Sequence, residues 1–217
     1  MDVEEQQTSG FTLAAWLFGS FGFLTVLVVA GWTQPLDETW NVAMANAEMP
    51  WLVDVAEGFN WIGSVPIAFS TAAIVSVFFL VMRRWWIAGA WIVMVGGAQI
   101  LSSITKVLVG RDRPMDALVH ESSAAYPSGH AMVAGAAMAI GLAVLLGFLW
   151  PNRYRLFVSV GVAYALLMAW SRAYLRVHWL SDVVGGLLLG TAVVVVVASA
   201  FAIGRSSASR SGDDPST

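Results

Sequence analysis

The chain contains no cysteine, which excludes a disulfide, a thiolate nucleophile and a cysteine-ligated metal. It has three histidines among 217 residues and no histidine-rich tract, so it offers no spaced ligand set for zinc or iron. Charge is scarce: 12% of residues are Asp, Glu, Lys or Arg, and the formal net charge is −3. No basic stripe runs along it, which argues against a nucleic-acid partner. What remains is apolar, with 58% hydrophobic residues and a mean hydropathy of +0.73. That balance suits a membrane-embedded helical bundle better than a soluble domain. Eleven tryptophans fit anchoring at two membrane interfaces.

Six apolar runs are long enough to span a bilayer: residues 11–32, 62–82, 85–109, 127–149, 156–174 and 182–203. The fold class expected is all-α, an integral-membrane bundle of six transmembrane helices with a site at one membrane face, filling residues 11–203. The polar segments 1–10 and 204–217 read as disordered tails. The first run lacks a basic flank and a small-residue cleavage site, so it reads as a retained span and not a signal peptide. Residues 33–60 alternate apolar and acidic positions. They read either as a helix lying at the interface or as a plain connecting loop. Gly186 and Gly190 sit at small-xxx-small spacing, which favours close helix packing.

Under six spans, Arg83, Arg84, Arg153, Arg155, Arg205 and Arg210 fall on one side, and Lys106, Arg111, Arg113, Arg172 and Arg176 on the other. The second set coincides with polar clusters that have their own reason to carry charge. The first set then marks the cytoplasm, with both termini cytoplasmic and the clusters facing outward from a multi-pass cell-membrane protein.

Three clusters interrupt the apolar pattern, and alternation places all three at the same membrane face. The first is Lys106 and, after six residues, Arg113-Pro114. It combines a point charge with a planar fork suited to phosphate oxygens; two cations snorkelling to headgroups is the competing reading. The second is Pro127-Ser128-Gly129-His130 at a helix start. There free N–H groups and the helix dipole favour an anion, Gly129 lets an oxyanion approach the backbone, and His130 is placed to move a proton. An ordinary capped helix with an interfacial histidine is its alternative. The third runs from Ser171-Arg172 to His178 and Asp182. A carboxylate four residues from an imidazole shares its helical face and raises the basicity of the far ring nitrogen; a structural interhelical hydrogen bond is the alternative. Arg111, Asp112, His120 and Arg176 lie outside these positions. Solvated loop charge is the simplest reading of them, and Arg111 or Arg176 touching a headgroup or second phosphate is the other.

Lys-x6-Arg-Pro, Pro-Ser-Gly-His and Ser-Arg-x5-His-x3-Asp, unsubstituted and in that order, resemble the three motifs of the type 2 phosphatidic acid phosphatases, a family of membrane-bound lipid phosphatases. The resemblance covers roughly residues 50–203. It implies hydrolysis of a lipid phosphomonoester or diphosphate with no metal or other cofactor. Candidate substrates are undecaprenyl diphosphate, phosphatidylglycerophosphate and phosphatidic acid, and the implied partners are that substrate and membrane lipids. Lys106, Arg113 and Arg172 would hold phosphate oxygens, with Ser128 and the Gly129 amide assisting. His178 would attack phosphorus, Asp182 would orient it, and His130 would protonate the leaving oxygen and then activate water. The vanadate-dependent haloperoxidases share the motifs but are soluble, which six apolar spans oppose. A catalytically silent lipid-phosphate-binding or transport protein is the other class; loss of catalysis should show as substitution of His178, His130 or Asp182, and all three are intact.

Overall fold

A computed structural model describes the backbone of residues 3–212 and the side chains of residues 8–202. Among the described residues the chain is all helix, with no strand. The helices are α1 (Val3–Val29), α2 (Gln34–Asn46), α3 (Pro50–Ile62), α4 (Val65–Val81), α5 (Trp85–Val109), α6 (His130–Leu149), α7 (Tyr154–Tyr174) and α8 (Leu180–Gly212). Apolar runs in lipid must satisfy every backbone polar group internally, which leaves helix as the local solution. Helix thus reaches into both segments read as tails, while residues 1–2 and 213–217 lie outside the described residues.

Five stretches are long and apolar enough to cross a membrane: Thr8–Val29, Trp85–Val109, His130–Leu149, Pro151–Tyr174 and Leu180–Ala202. The span expected at 62–82 is not one straight helix. α3 and α4 meet at a 55° bend around Gly63 and Ser64. Ser64 is extended, with ψ 150°, and Pro66, which has no N–H to give, stands in the first turn of α4 where that donor is not needed, so the chain breaks and restarts there. α4 alone, at 17 residues, is about 26 Å long, short of a hydrocarbon core of about 30 Å. Counted as one broken span, the bent pair brings the number of crossings from five to six. Residues 33–60 are α2 and α3, so the plain-loop alternative fails. Pro35 and Pro50 stand in the first turns of these helices, where a missing N–H costs nothing.

The bundle closes on α6. Phe79 of α4, Trp91 and Met94 of α5, Met132 and Leu145 of α6, and Leu189 and Val194 of α8 form one buried cluster. α6 opens with π-helical geometry over His130–Ile140 and continues as α-helix over Gly141–Leu149. Small residues of α8 admit it closely. A Cβ on Gly190 would lie 2.6 Å from the Met132 carbonyl oxygen, and one on Gly186 2.6 Å from that of Ser128. The small-xxx-small pair of α8 is therefore the surface on which the start of α6 is seated, and the start of α6 carries Pro-Ser-Gly-His.

Candidate active site

The three clusters sit at helix ends, and the packing of α5 to α8 brings those ends together. Lys106 is in the last turn of α5. Gly110, with φ +59°, closes that helix in a conformation glycine adopts without penalty, and the chain turns into the loop carrying Arg111 and Arg113. His130 opens α6, Arg172 lies in the last turn of α7, His178 follows in the short connection, and Asp182 is in the first turn of α8.

The Lys106 ammonium donates to the carbonyl of Ala124. Arg113 is pinned by its own loop and by the α7–α8 connection: Nε donates to the Ser123 carbonyl at 2.8 Å and Nη1 to the Val177 carbonyl at 2.6 Å. The same Nη1 lies 3.2 Å from Nε2 of His178. Arginine only donates, so Nε2 carries the lone pair and the ring proton is on Nδ1. That nitrogen faces Asp182 Oδ2 at 3.5 Å and has no other partner. At this distance carboxylate and imidazole are aligned but short of a close hydrogen bond. Burial pushes the His178 pKa well below the ordinary imidazole value, and the nearby charges of Arg113, Arg172 and Lys106 push it the same way. The ring is therefore neutral, with the electron pair on Nε2 accepting from Arg113. Burial also lowers the pKa of the Arg113 guanidinium, against the opposing pull of Glu121 and Asp182.

Nε2 of His130 is 3.2 Å from the carbonyl of Asn60. A carbonyl only accepts, so Nε2 carries the proton there. Arg172 is fully buried. Its fork donates through Nη1 to Asn60 Oδ1 and through Nη2 to Glu121 Oε1, the latter at 2.9 Å. A carboxylate thus sits in the fork where a phosphate oxygen could be held.

Lys106, Arg113, Gly129, His130 and His178 share the lining of one cavity of about 690 Å³. Its other wall is apolar and comes from α4 and α5, including Val65, Ala68, Phe69, Ile92 and Val95. Ser128, Arg172 and Asp182 are buried in the surrounding structure. Ser128 is occupied locally: its N–H donates to the Asp182 carbonyl at 2.9 Å, and its Oγ accepts from the Ala131 N–H at 3.5 Å. The sequence-derived residues are thus brought to one place, with Gly129 at the cavity wall and Ser128 tying α6 to α8. Among the described residues no group of three or more His, Asp or Glu is arranged to hold a metal.

Arg111 and Arg176 are not solvated loop charges. Arg111 donates to both Asp182 Oδ1 and Asp37 Oδ2 at 2.7 Å. Arg176 bonds Glu48 and Asp116, each at 2.8 Å, and ties the turn between α2 and α3 to the loop after α5. His120 is exposed, as a loop residue should be. Asp37, Asn60 and Glu121 were missed. Each is a single polar residue with no motif around it, and each becomes meaningful only through a distant arginine. Behind the site Tyr126 hydrogen-bonds Thr25 of α1 at 2.9 Å, and burial raises its phenol pKa to about 12.

The sequence profile described as the PAP2 superfamily matches residues 85–203. A phosphatidylglycerophosphatase B of Bacillus subtilis (strain 168) is 31% identical over 185 residues, covering 83% of this chain and 91% of that protein. The chain belongs to the PAP2 superfamily. Within it, an undecaprenyl-diphosphatase of Sulfolobus acidocaldarius is 28% identical over 101 residues, 43% of this chain and 45% of its own length. A crystal structure of a transmembrane PAP2-type phosphatidylglycerolphosphate phosphatase from Bacillus subtilis superposes with a TM-score of 0.78 at 28% identity, over 85% of this chain and 93% of that one. The PAP2 profile begins at the start of α5 and ends inside α8. It therefore contains all three clusters but neither Asp37 nor Asn60. This PAP2 protein is a multi-pass membrane phosphatase by family and by its apolar helices.

Proposed function

We propose that this PAP2 membrane lipid phosphatase hydrolyses phosphatidylglycerophosphate or a closely related lipid phosphate through a phosphohistidine on His178, without metal. One observation carries the reading. A single cavity is lined by Lys106 and Arg113 of the first cluster, Gly129 and His130 of the second and His178 of the third, together with an apolar wall from α4 and α5. Such a chamber takes a phosphate headgroup and the start of its lipid tail together. The Bacillus subtilis relative, named a phosphatidylglycerophosphatase B, is the support for putting phosphatidylglycerophosphate ahead of undecaprenyl diphosphate and phosphatidic acid in this reading.

Phosphoryl transfer asks mainly for positioning and charge stabilisation. Lys106, Arg113 and Arg172 hold the phosphate oxygens, and the α6 N-terminus at Gly129 faces the same charge. The phosphate takes the place of the Glu121 carboxylate in the Arg172 fork and of His178 Nε2 on Arg113. The Nε2 lone pair, freed in this way, attacks phosphorus while the bond to the lipid oxygen breaks, and His130, which must enter this step as the imidazolium, passes one proton to that oxygen and is left neutral. Asp182 stabilises the positive charge that grows on the His178 ring. Water then attacks the phosphohistidine, His130 takes its proton, the P–N bond breaks and inorganic phosphate leaves.

The test is phosphate release by the purified chain in detergent with EDTA present, on phosphatidylglycerophosphate, undecaprenyl diphosphate and phosphatidic acid. Turnover on at least one lipid, fastest on phosphatidylglycerophosphate and undiminished by EDTA, is the expected result. No release from any lipid by folded protein moves the function to lipid-phosphate binding. Activity abolished by EDTA and restored by a divalent cation contradicts the metal-free mechanism.

The site is proposed to face outward, supported by the basic residues at the opposite helix ends, Arg83, Arg84, Arg153 and Arg155. Because the chain has no cysteine, single substitutions report cleanly. In intact cells a membrane-impermeant maleimide is expected to label His120→Cys, and Asn152→Cys only after permeabilisation. The reverse pattern sinks the orientation.

A further inference from the structure

The geometry assigns Arg111 and Asp37 as positioning residues for the His178–Asp182 pair, which makes α2 a working part of the catalytic apparatus. This inference rests on the proposed role of Asp182 in orienting His178.

Asp182 is fully buried, and both of its oxygens are fixed. Oδ2, the oxygen that faces His178 Nδ1, accepts from the Trp179 N–H at 2.8 Å. Oδ1 accepts from Arg111 Nη1 at 2.7 Å. With both oxygens tied, the carboxylate cannot rotate away from the ring. Arg111 is itself held from the far side by Asp37, whose Oδ2 is 2.7 Å from Nη2. Asp37, 1% exposed, also accepts the Ser181 N–H through Oδ1 at 2.9 Å and the Ser181 hydroxyl through Oδ2 at 2.7 Å. Arg111 Nη1 reaches the Ser181 Oγ as well, at 2.7 Å, and its guanidinium lies 5.6 Å from the centre of the Trp179 ring.

The arrangement is a buried relay: a carboxylate on α2, a guanidinium on the loop after α5, a carboxylate on α8, then the imidazole. A guanidinium between two carboxylates serves both only if its fork is fixed, and it is fixed here on both sides. A role confined to folding would be met by Asp37 holding the start of α8 through Ser181. It would not require the guanidinium to reach the catalytic carboxylate on the oxygen opposite the imidazole. Partners that orient a functional group from behind usually change activity by about 10- to 100-fold when removed.

The test compares the purified full chain with Arg111→Ala, Arg111→Lys, Asp37→Asn, Asp182→Asn and the Arg111→Ala/Asp182→Asn pair. Turnover is measured on the lipid phosphate that the wild type cleaves, and inhibition by vanadate reports the phosphate cradle. Arg111→Ala is expected to lose about 10- to 100-fold in kcat with KM and vanadate inhibition unchanged. Arg111→Lys should recover part of the loss. The paired variant should be no slower than Asp182→Asn alone, because residues acting through one group are not additive. A rise in KM and weakened vanadate inhibition instead would make Arg111 a substrate contact and overturn the assignment. So would losses that multiply in the paired variant. Where Arg111→Ala does not fold, Asp37→Asn decides: it keeps the shape, and full kcat in that variant overturns the proposal. A folded wild type without any turnover defeats the phosphatase reading and this inference with it. An active wild type with undiminished Arg111→Ala and Asp37→Asn defeats the positioning role alone.

Discussion

Replacing His178 with alanine is expected to lower phosphate release by on the order of 10⁴-fold or more, the scale seen when a nucleophile is removed from a working catalytic unit. The expectation follows from the electron pair on Nε2. Arg113 donates to that nitrogen, which fixes the ring proton on Nδ1 opposite Asp182. Burial and three cations keep the ring uncharged. A neutral imidazole whose lone pair is released from Arg113 by the incoming phosphate is a nucleophile that needs no prior deprotonation. Alanine removes the pair and leaves the cations, so binding should survive where chemistry does not: the variant should still bind the lipid phosphate in a direct binding assay. Parallel rates for wild type and His178→Ala would sink the assignment. A loss matched by the loss of lipid-phosphate binding would show that the substitution damaged the cradle and not the chemistry.

The second large effect is expected at Arg172. Arg172→Ala should cost about 10²- to 10³-fold in kcat, the range found when a donor aimed at developing transition-state charge is deleted, or about 2.7–4 kcal/mol. The side chain is fully buried, and its two terminal nitrogens serve different partners, Asn60 and Glu121. Lysine brings the charge without the fork, so Arg172→Lys should remain well below wild type. Removing a buried cation also leaves the Glu121 carboxylate without its partner, which destabilises the fold. Thermal unfolding in detergent separates the two effects: the kinetic loss should persist at temperatures where the variant is fully folded. Near wild-type kcat in folded Arg172→Lys would mean that charge alone suffices and that the fork does not clamp the phosphate.

The legible part of this protein is what is local in sequence. Lys106, Arg113, Gly129, His130, Arg172, His178 and Asp182 fall in short patterns across helix ends, and a motif of that kind keeps its meaning without tertiary information. The apolar runs likewise marked the spans, because the bilayer demands one structural solution over about 20 residues. The illegible part is what long-range packing supplies. Arg111 meets Asp37 across 74 positions, and Arg172 meets Asn60 across 112 and Glu121 across 51. Read alone, Arg111 is one charge in a charged loop. Only the docking of α2 against the start of α8 turns it inward. The bend between α3 and α4 was foreshadowed by Gly63, Ser64 and Pro66. Even so, hydropathy averaged over the run described one straight span, because averaging does not register a missing N–H.

The most direct measurement is rapid quenching of the purified chain with phosphatidylglycerophosphate labelled in its terminal phosphate, in EDTA, followed by acid and base treatment of the trapped protein. The expected result is a phosphoenzyme that is labile to acid and stable to base, formed faster than turnover and absent from His178→Ala. Rapid turnover with no trapped label, or label that persists in His178→Ala, would contradict a phosphohistidine at His178.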